Sequence, residues 1–440
     1  MTPQRTLHQW PFLGRSRPFE VARAEGAYLF QPDGKPILDA GGGAIVVNVG
    51  HGRAEVADAI REAALNNSYV VPTWMTPERQ ALIDELTDHW LPAHLNRIHL
   101  ASGGSEANEA ALKIAVQYQA ARGKPEKNKI LSRSLSYHGT TITTAAVSGH
   151  ASRKRGLESI LDEYSTIETP YPLRCPLGAH HPDAADYYLH DLQAVIAHHG
   201  SDTIAALIAE PMNGSSGGAI TPPDNYWQRA QKILKDNDIL LIMDEIMTGF
   251  GRTGEKFGSD LYGLEPDLMV SGKGMAGGYA AIAGCYGTEK IAATIADSPF
   301  EVMFHTFAGL PLSCAAATKV LQILREESLL ERARTVGADL KQRLIETLGQ
   351  HPNVAEIRGE GLLIGLEIVS NRDTLEQFPE DVNLTGKIVS HSMGEGVFFY
   401  PGGTGVARDI ICIGAPLIIG EQEIEKITKT LASALDHCIP

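Results

Sequence analysis

Residues Ile239 to Gly274, ILLIMDEIMTGFGRTGEKFGSDLYGLEPDLMVSGKG, decide the fold of this chain. An apolar run at residues 239–243 ends in two acids, Asp244 and Glu245, and a second run at residues 268–270 leads to Lys273. Short apolar runs bounded by turn residues are typical of buried strands in a parallel sheet. Ligands of such sheets bind beyond the carboxyl ends of the strands. We therefore predict that Asp244 and Lys273 lie at one edge of a sheet.

An aspartate and a lysine at one sheet edge suit pyridoxal phosphate (PLP), which needs a lysine for its Schiff base and an aspartate against its pyridinium nitrogen. The GxGxxG pattern at residues 249–254 is a weak dinucleotide signal, because no helical pattern follows it. A phosphate loop needs a glycine six residues before the lysine, where this chain has Asp267. A lysine between glycines is also common in ordinary loops, so this stretch alone leaves the PLP interpretation open.

Composition narrows the class of protein. The 440 residues carry a formal net charge of −15, which argues against a nucleic-acid partner. The five cysteines include no CxxC pair, which favours reduced thiols in the cytoplasm and no metal site. We find no apolar stretch long enough to span a membrane and no signal-peptide pattern at the N-terminus. We therefore expect a cytoplasmic enzyme without membrane or nucleic-acid partners.

Strands alternating with helices predict an α/β fold with a mainly parallel sheet. Three successive predicted strands end at Glu210, Asp244 and Lys273. From about residue 320 the pattern changes to that of a compact α+β unit, and the predicted hairpin at residues 27–39 could join it. We predict a large domain at residues 60–320 and a small domain built from residues 1–59 and 321–440.

Two further segments carry candidate site residues. The turn SGGSE at residues 102–106 precedes a helix predicted from residue 107, and it could bind a phosphate with the Ser105 hydroxyl and the helix N-terminus or could be a plain capping box. Tyr137 and His138 follow a predicted strand, where an aromatic ring could stack on a planar cofactor, although a lone aromatic there usually belongs to the core.

Seven motifs occur in one order: SGGSEANEAALK, YHG, IAEPMNG, IMDEIMTGFGRTG, SGKGMAGG, HTFAGLP and RGEGLLIG. With them the chain resembles the class III (omega) aminotransferases of the fold type I PLP enzymes, from about residue 18 to residue 435. The resemblance implies that Lys273 forms the Schiff base and that Asp244 keeps the ring nitrogen protonated. It also implies a homodimer, with a tetramer as a possible higher assembly. The other implied cofactor residues are Gly104 and Ser105 at the phosphate, Tyr137 and Ile246 on the two ring faces, His138, Glu210 on the substrate side, and Thr306 reaching the phosphate of the neighbouring subunit.

The chain departs from amine:pyruvate members of the family at positions that affect the substrate. Many of those members have a tryptophan in the first strand, where this chain has Ile45. They also have a mobile arginine near a C-terminal Pro-Pro-Leu, and the nearby Arg408 is about three residues from the expected place. We take Ile45, Trp74 and Arg408 as candidate substrate residues.

The resemblance implies a transaminase that moves an amino group from an amine or omega-amino acid to a keto acid, pyruvate or 2-oxoglutarate, by a ping-pong mechanism. A decarboxylase, racemase or aminomutase would share the fold and the lysine. A third hypothesis is a PLP-fold protein with a binding or regulatory role, against which the intact Lys273 and Asp244 argue.

Overall fold

The computed structural model describes residues 19–439. In this range the strands are β1 Arg23–Glu25, β2 Tyr28–Phe30, β3 Pro36–Asp39, β4 Arg97–Ala101, β5 Lys129–Arg133, β6 Thr166–Ile167, β7 Ile204–Ala209, β8 Leu240–Asp244, β9 Leu268–Ser271, β10 Ala283–Gly287, β11 Val354–Glu360, β12 Leu363–Ile368, β13 Val397–Phe398, β14 Tyr400–Gly402 and β15 Ile410–Ile413. The helices are α1 Gly42–Ile45, α2 Ala54–Asn66, α3 Pro77–Glu85, α4 Gly104–Ala121, α5 Ile142–Val147, α6 Ala151–Lys154, α7 Ala184–His199, α8 Tyr226–Asp236, α9 Glu289–Ala296, α10 Pro311–Glu326, α11 Leu329–Leu348, α12 Leu384–Gly394 and α13 Glu421–Cys438. None of them is long and apolar enough to cross a membrane.

A seven-stranded sheet in the order β4-β10-β9-β8-β7-β5-β6 is the centre of the fold. The strands from β9 to β6 run parallel, whereas β10 is antiparallel to both β9 and β4. Every residue of β7, β8 and β9 is buried, as expected for strands covered on both faces. The predicted α/β class with a mainly parallel sheet is confirmed.

The register of this sheet brings the ends of three strands to one edge. Ala209 of β7 pairs with Met243 of β8, and Asp244 of β8 pairs with Val270 of β9. The residues that follow β7 and β9 therefore lie beside Asp244. This is the edge at which parallel sheets bind ligands.

The N-terminal and C-terminal parts of the chain meet in a second sheet, β1-β2-β3-β13, while a third sheet has the order β11-β12-β15-β14. The hairpin of β2 and β3 forms as predicted, and β13 adds to it in parallel. The sequence pattern predicts one strand at residues 396–400, but this segment is divided at Phe399, because β13 pairs with β3 and β14 pairs with β15. We propose that these two sheets, with their helices, form the small domain and the seven-stranded sheet the large one.

Two predicted boundaries and one predicted element type are wrong. Helix α4 begins at Gly104 rather than at residue 107. The sequence pattern also predicts a strand at residues 277–284, but the strand begins only at Ala283, because Gly277 and Gly278 adopt left-handed φ angles of +56° and +88°. The strand expected around Ile45 is instead a short distorted helical turn, in which Ile45 itself has a φ of +58°.

Candidate active site

A cavity of about 270 Å³ lies at the carboxyl edge of the central sheet. All the cofactor residues expected from the sequence line it except Thr306. Its wall consists of Val46, Ser102, Gly103, Gly104, Ser105, Asn108, Tyr137, His138, Gly139, Glu210, Met212, Ser215, Asp244, Ile246, Met247, Thr248, Lys273, Gly278, Ala280, Ala281 and Ile282.

The carboxylate of Asp244 is buried and is held by three donors. Its Oδ2 atom accepts hydrogen bonds from Nδ1 of His138 and Nδ2 of Asn108, each at 2.8 Å. Its Oδ1 atom accepts the backbone N–H of Ile246 at 3.0 Å. Asn108 also donates to the carbonyl of His138 at 2.8 Å, so the two donors support each other. The orientation of this carboxylate is therefore fixed before any ligand binds.

Lys273 follows β9 in a conformation that lysine rarely adopts, with a φ of +43°. Burial lowers the pKa of its amine to about 8, against the opposing pull of the negative charges of Asp244 and Glu210. A strained backbone and a perturbed pKa in one cavity-lining residue are typical of a functional site.

Glu210 follows β7 and is also buried. Its Oε1 atom accepts the N–H of Gly214 at 2.9 Å, and its Oε2 atom accepts Nδ2 of Asn213 at 3.3 Å. Burial raises the pKa of this carboxyl to about 7, although the nearby His138 and the Gly214 N–H favour the ionised form. Glu210 can therefore change protonation state near neutral pH.

The N-terminus of α4 opens into the cavity. The N-cap residue Gly103 is extended and provides no side-chain cap, and Ser105 is already inside the helix. The hydroxyl of Ser105 accepts the N–H of Thr140 at 3.1 Å instead of capping α4. Glu106 accepts the N–H of Ser102 at 2.9 Å. Of the two interpretations of this turn, the geometry favours a phosphate site with exposed backbone donors.

The side chain of Ile246 packs between two glycines at the base of the cavity. A Cβ atom on either Gly104 or Gly272 would lie 3.0 Å from Cδ1 of Ile246. Larger residues at these positions would push Ile246 into the cavity. The half-buried ring of Tyr137 contributes another part of the wall.

Asn108 is the main residue that the sequence analysis missed. It follows Gly104 by four residues, so it lies on the same face of α4 one turn further along the helix. This spacing is the signal that could have found it, once the helix was known to begin at Gly104. Val46, Ser215 and Thr248 also line the cavity and were not predicted.

The three predicted substrate residues do not line this cavity. Ile45 is buried in an apolar cluster with Met212 and Ile410, because its left-handed backbone turns the side chain away, and Val46 lines the cavity instead. The guanidinium of Arg408 donates to the carbonyls of Gly405 and Phe378 at 3.3 and 3.2 Å.

Trp74 and Thr306 both lie on the surface of the single chain. Trp74 is 69% exposed to solvent. Neither of them contributes to the cavity wall of its own chain. Their position would allow contact with a second copy of the chain.

The groups around the cavity fit PLP. They include an amine at Lys273, a fixed carboxylate at Asp244 and an aromatic ring at Tyr137, which suit an aldehyde, a pyridine nitrogen and a planar ring. A Cβ atom on Gly103 would have no neighbour within 4 Å, so the space before α4 is open for a phosphate. Nε2 of His138 is buried and has no hydrogen-bond partner among residues 19–439.

Comparison with known proteins identifies the family of the chain. The family described as "Aminotransferase class-III" matches residues 14–435. The hypotaurine/taurine–pyruvate aminotransferase of Paracoccus denitrificans is 32% identical over 446 residues, which cover 97% of this chain and 95% of the relative. The putrescine–pyruvate aminotransferase of Pseudomonas aeruginosa is 32% identical over 422 residues, which cover 95% and 90%.

A solved structure extends the similarity to the fold. The PLP-bound amine transaminase from an uncultivated Pseudomonas species has a TM-score of 0.93 and 32% identity, with 99% of each chain covered. A match at this level over nearly the whole chain shows a common fold. The chain therefore belongs to the class III aminotransferases, and it is a PLP-dependent transaminase of fold type I.

Proposed function

We propose that this transaminase moves an amino group from an amine or omega-amino acid to pyruvate in two successive half-reactions. Two relatives that cover nearly the whole chain are named for pyruvate as the acceptor. The observation that carries the proposal is the meeting of Lys273, Asp244 and the α4 N-terminus in one cavity. The donor of this chain belongs to the same broad class as taurine and putrescine.

Lys273 is the proposed catalytic base. PLP, when bound, supplies a carbonyl that exchanges with the donor's amino group and a ring that takes up the electron pair released at the donor Cα atom. Because burial lowers the pKa of Lys273 to about 8, part of its Nζ is neutral near pH 7. A neutral amine there can take the proton from the donor Cα atom.

The other proposed roles follow from position. Asp244 would hold the protonated ring nitrogen, with His138 and Asn108 fixing its orientation. Tyr137 and Ile246 would pack on the two faces of the ring. The phosphate would accept hydrogen bonds from Gly104, Ser105 and the free N–H groups of α4, which the helix dipole strengthens. Glu210 would lie on the substrate side of the cofactor.

We propose that the working unit is a homodimer, with Thr306 reaching the phosphate site of the partner. Thr306 belongs to an exposed apolar surface that includes Trp74, Met75, Met303 and Phe307. The ring of Tyr69, in the segment that carries Trp74, lies 6.4 Å from the ring of Phe307, beside Thr306. The segments at residues 69–75 and 303–307 therefore adjoin each other. Contiguous exposed apolar surface of this kind marks protein–protein contacts.

A donor panel tests the function. Purified holoenzyme is incubated with taurine, hypotaurine, putrescine or β-alanine together with pyruvate, and L-alanine and the oxidised donor are measured. The proposal predicts one alanine for each carbonyl product formed, and Lys273→Arg should form none. An enantiopure α,ω-diamino acid is tested beside the panel for the alternatives. Its loss of carbon dioxide, its racemisation or an internal shift of its amino group, without formation of alanine, would favour the decarboxylase, racemase or aminomutase alternatives.

A further inference from the structure

Three consecutive basic residues at the end of α6 have different partners. Nζ of Lys154 donates to the carbonyl of Ala146 at 2.7 Å, and Arg155 pairs with Glu380 at 3.6 Å on the surface. Arg153 instead places its guanidinium carbon 4.5 Å from the centre of the Tyr137 ring. Within residues 19–439, Arg153 makes no ion pair with a carboxylate. One cation of the three is therefore turned over a cavity-lining ring with its charge unpaired.

Arg153 adjoins the active-site cavity through one of its lining residues, Tyr137. Tyr137 lines that cavity, whereas Arg153 stands on the ring and is exposed to solvent. Its positive charge is among the causes that lower the pKa of Lys273, which places it within electrostatic reach of the reacting amine. The described cavity wall itself contains no arginine. Arg252, the other arginine whose charge lowers the pKa of Lys273, is buried and donates to Asn48 and to the carbonyls of Leu362 and Ala415, whereas Arg153 is exposed.

The loop at residues 401–407 holds α6 in place. The N–H of Ser152 donates to the carbonyl of Thr404 at 3.0 Å. A Cβ atom on Gly405 would lie 3.0 Å from Cβ of Ser152, so glycine permits this close approach. The same loop turns Arg408 toward the Gly405 and Phe378 carbonyls and away from the cavity. One loop thus directs one arginine away from the site and supports the helix that carries the other.

We propose that Arg153 binds the carboxylate of the keto-acid acceptor and is a specificity-determining residue of this enzyme. A guanidinium can grip a carboxylate through two parallel N–H donors. Its stacking on Tyr137 limits the orientations that the fork can adopt, which reduces the entropy lost when the acceptor binds. This inference rests on the proposed transfer to a keto acid and names the residue that selects the acid.

Acceptors with and without a carboxylate separate this role from a structural one. We would compare pyruvate with propanal, using putrescine or another donor without an acid group, for Arg153→Met and Arg153→Lys. We expect Arg153→Met to raise KM for pyruvate about ten- to a hundredfold, the usual effect of losing a charged hydrogen bond. KM for propanal should change by less than about twofold, since no carboxylate is present. Arg153→Lys should recover part of the pyruvate affinity, because it retains the charge without the planar fork.

Arg155→Met is the matched control, because it removes a neighbouring positive charge that pairs with Glu380 on the surface. It should leave both KM values unchanged. Equal losses for pyruvate and propanal in Arg153→Met, or an Arg155→Met effect as large as that of Arg153→Met, would refute the proposal.

A binding measurement adds a readout without turnover. Propionate, a carboxylate that cannot react, is titrated into the holoenzyme by calorimetry, and Arg153→Met should weaken its Kd by a factor similar to the KM change. An unchanged Kd would overturn the inference. If the wild-type enzyme transaminates no donor–acceptor pair, the proposed function fails, and the propionate titration alone decides whether Arg153 binds carboxylates.

Discussion

Lys273 shows how a single residue is prepared for its chemistry. An ordinary lysine with a pKa of about 10.4 is almost wholly charged at pH 7, whereas a pKa of about 8 leaves about a tenth of the amine neutral. Burial causes this shift and the charges of Asp244 and Glu210 limit it. The cavity therefore provides a neutral, reactive fraction of the Lys273 amine near neutral pH.

The pH dependence of cofactor capture tests this shift. Covalent capture of PLP by the cofactor-free protein needs the neutral amine, so its rate should rise with pH and level off above about pH 8. A lysine with an unshifted pKa would still show a rising rate at pH 10. Stopped-flow absorbance after mixing PLP with cofactor-free protein measures the rate, and Lys273→Met provides the background.

The same shift affects stability with a definite sign. Between about pH 8 and 10.5 the unfolded chain holds a proton on Lys273 that the folded chain has lost, so the stability of the cofactor-free protein gains from rising pH in this window. That contribution is lost as the pH falls through the folded pKa of about 8. The difference in unfolding free energy between wild type and Lys273→Met should therefore change across this window and be flat below it.

At the scale of elements, one buried arginine joins two surface segments. Arg79 of α3 donates through Nε to the carbonyl of Gly309 at 2.7 Å and through Nη1 to that of Val71 at 3.0 Å. It also donates to the carbonyls of Val70 and Trp74. It thereby fixes the Trp74 segment against the segment that carries Thr306. Both segments belong to the apolar surface proposed as the dimer contact.

Removal of the Arg79 side chain should lower the stability of the folded protein and weaken its dimer. Arg79→Met would leave several carbonyls without their donor, each worth about 1–3 kcal/mol if it stays buried, so we expect a loss of several degrees in Tm and weaker dimerisation. Arg97→Met removes an exposed arginine paired with Glu289 and should cost at most about 1 kcal/mol. Calorimetry and sedimentation of both variants measure the effects. Equal, small changes in the two variants would contradict this role for Arg79.

For the whole molecule, the apolar surface around Thr306 predicts an assembly. Phe307 is 60% exposed in the single chain, and a charge there should prevent two such surfaces from meeting. We expect Phe307→Glu to be monomeric by light scattering and to bind PLP much more weakly, because the partner's Thr306 is lost. Ile345→Glu adds the same charge at an exposed position of α11 and should remain dimeric. A dimeric Phe307→Glu protein with normal PLP affinity would contradict the assembly.

The sequence predicted those parts of the molecule in which the side-chain direction follows from regular structure. Asp244 and Lys273 were predictable because Asp244 ends one buried strand and Lys273 follows another, and strand ends of a parallel sheet meet at one edge. Ile45 was misplaced because its left-handed backbone breaks the expected alternation. Arg408 was misplaced because the direction of a loop side chain depends on contacts made far away in sequence, here with Phe378.

Asn108 and Arg153 show which site residues a sequence-based prediction does not reach. The role of Asn108 depends on the start of α4, and helix boundaries are the least certain part of a sequence-based prediction. The position of Arg153 depends on a loop about 250 residues further along the chain, at Thr404. The contact of Arg153 leaves no periodic pattern in the sequence, and the four-residue spacing of Asn108 from Gly104 becomes a signal only when the start of α4 is known.

The most direct test of the central claim is a visible spectrum recorded in two stages. An amino donor is first added to the holoenzyme without acceptor, and pyruvate is added after the excess donor is removed. We predict that the visible band of enzyme-bound PLP is lost with the donor and returns with pyruvate, and that one alanine forms per active site. A band that no donor removes, or that pyruvate does not restore, would contradict an amino-group transfer in two half-reactions.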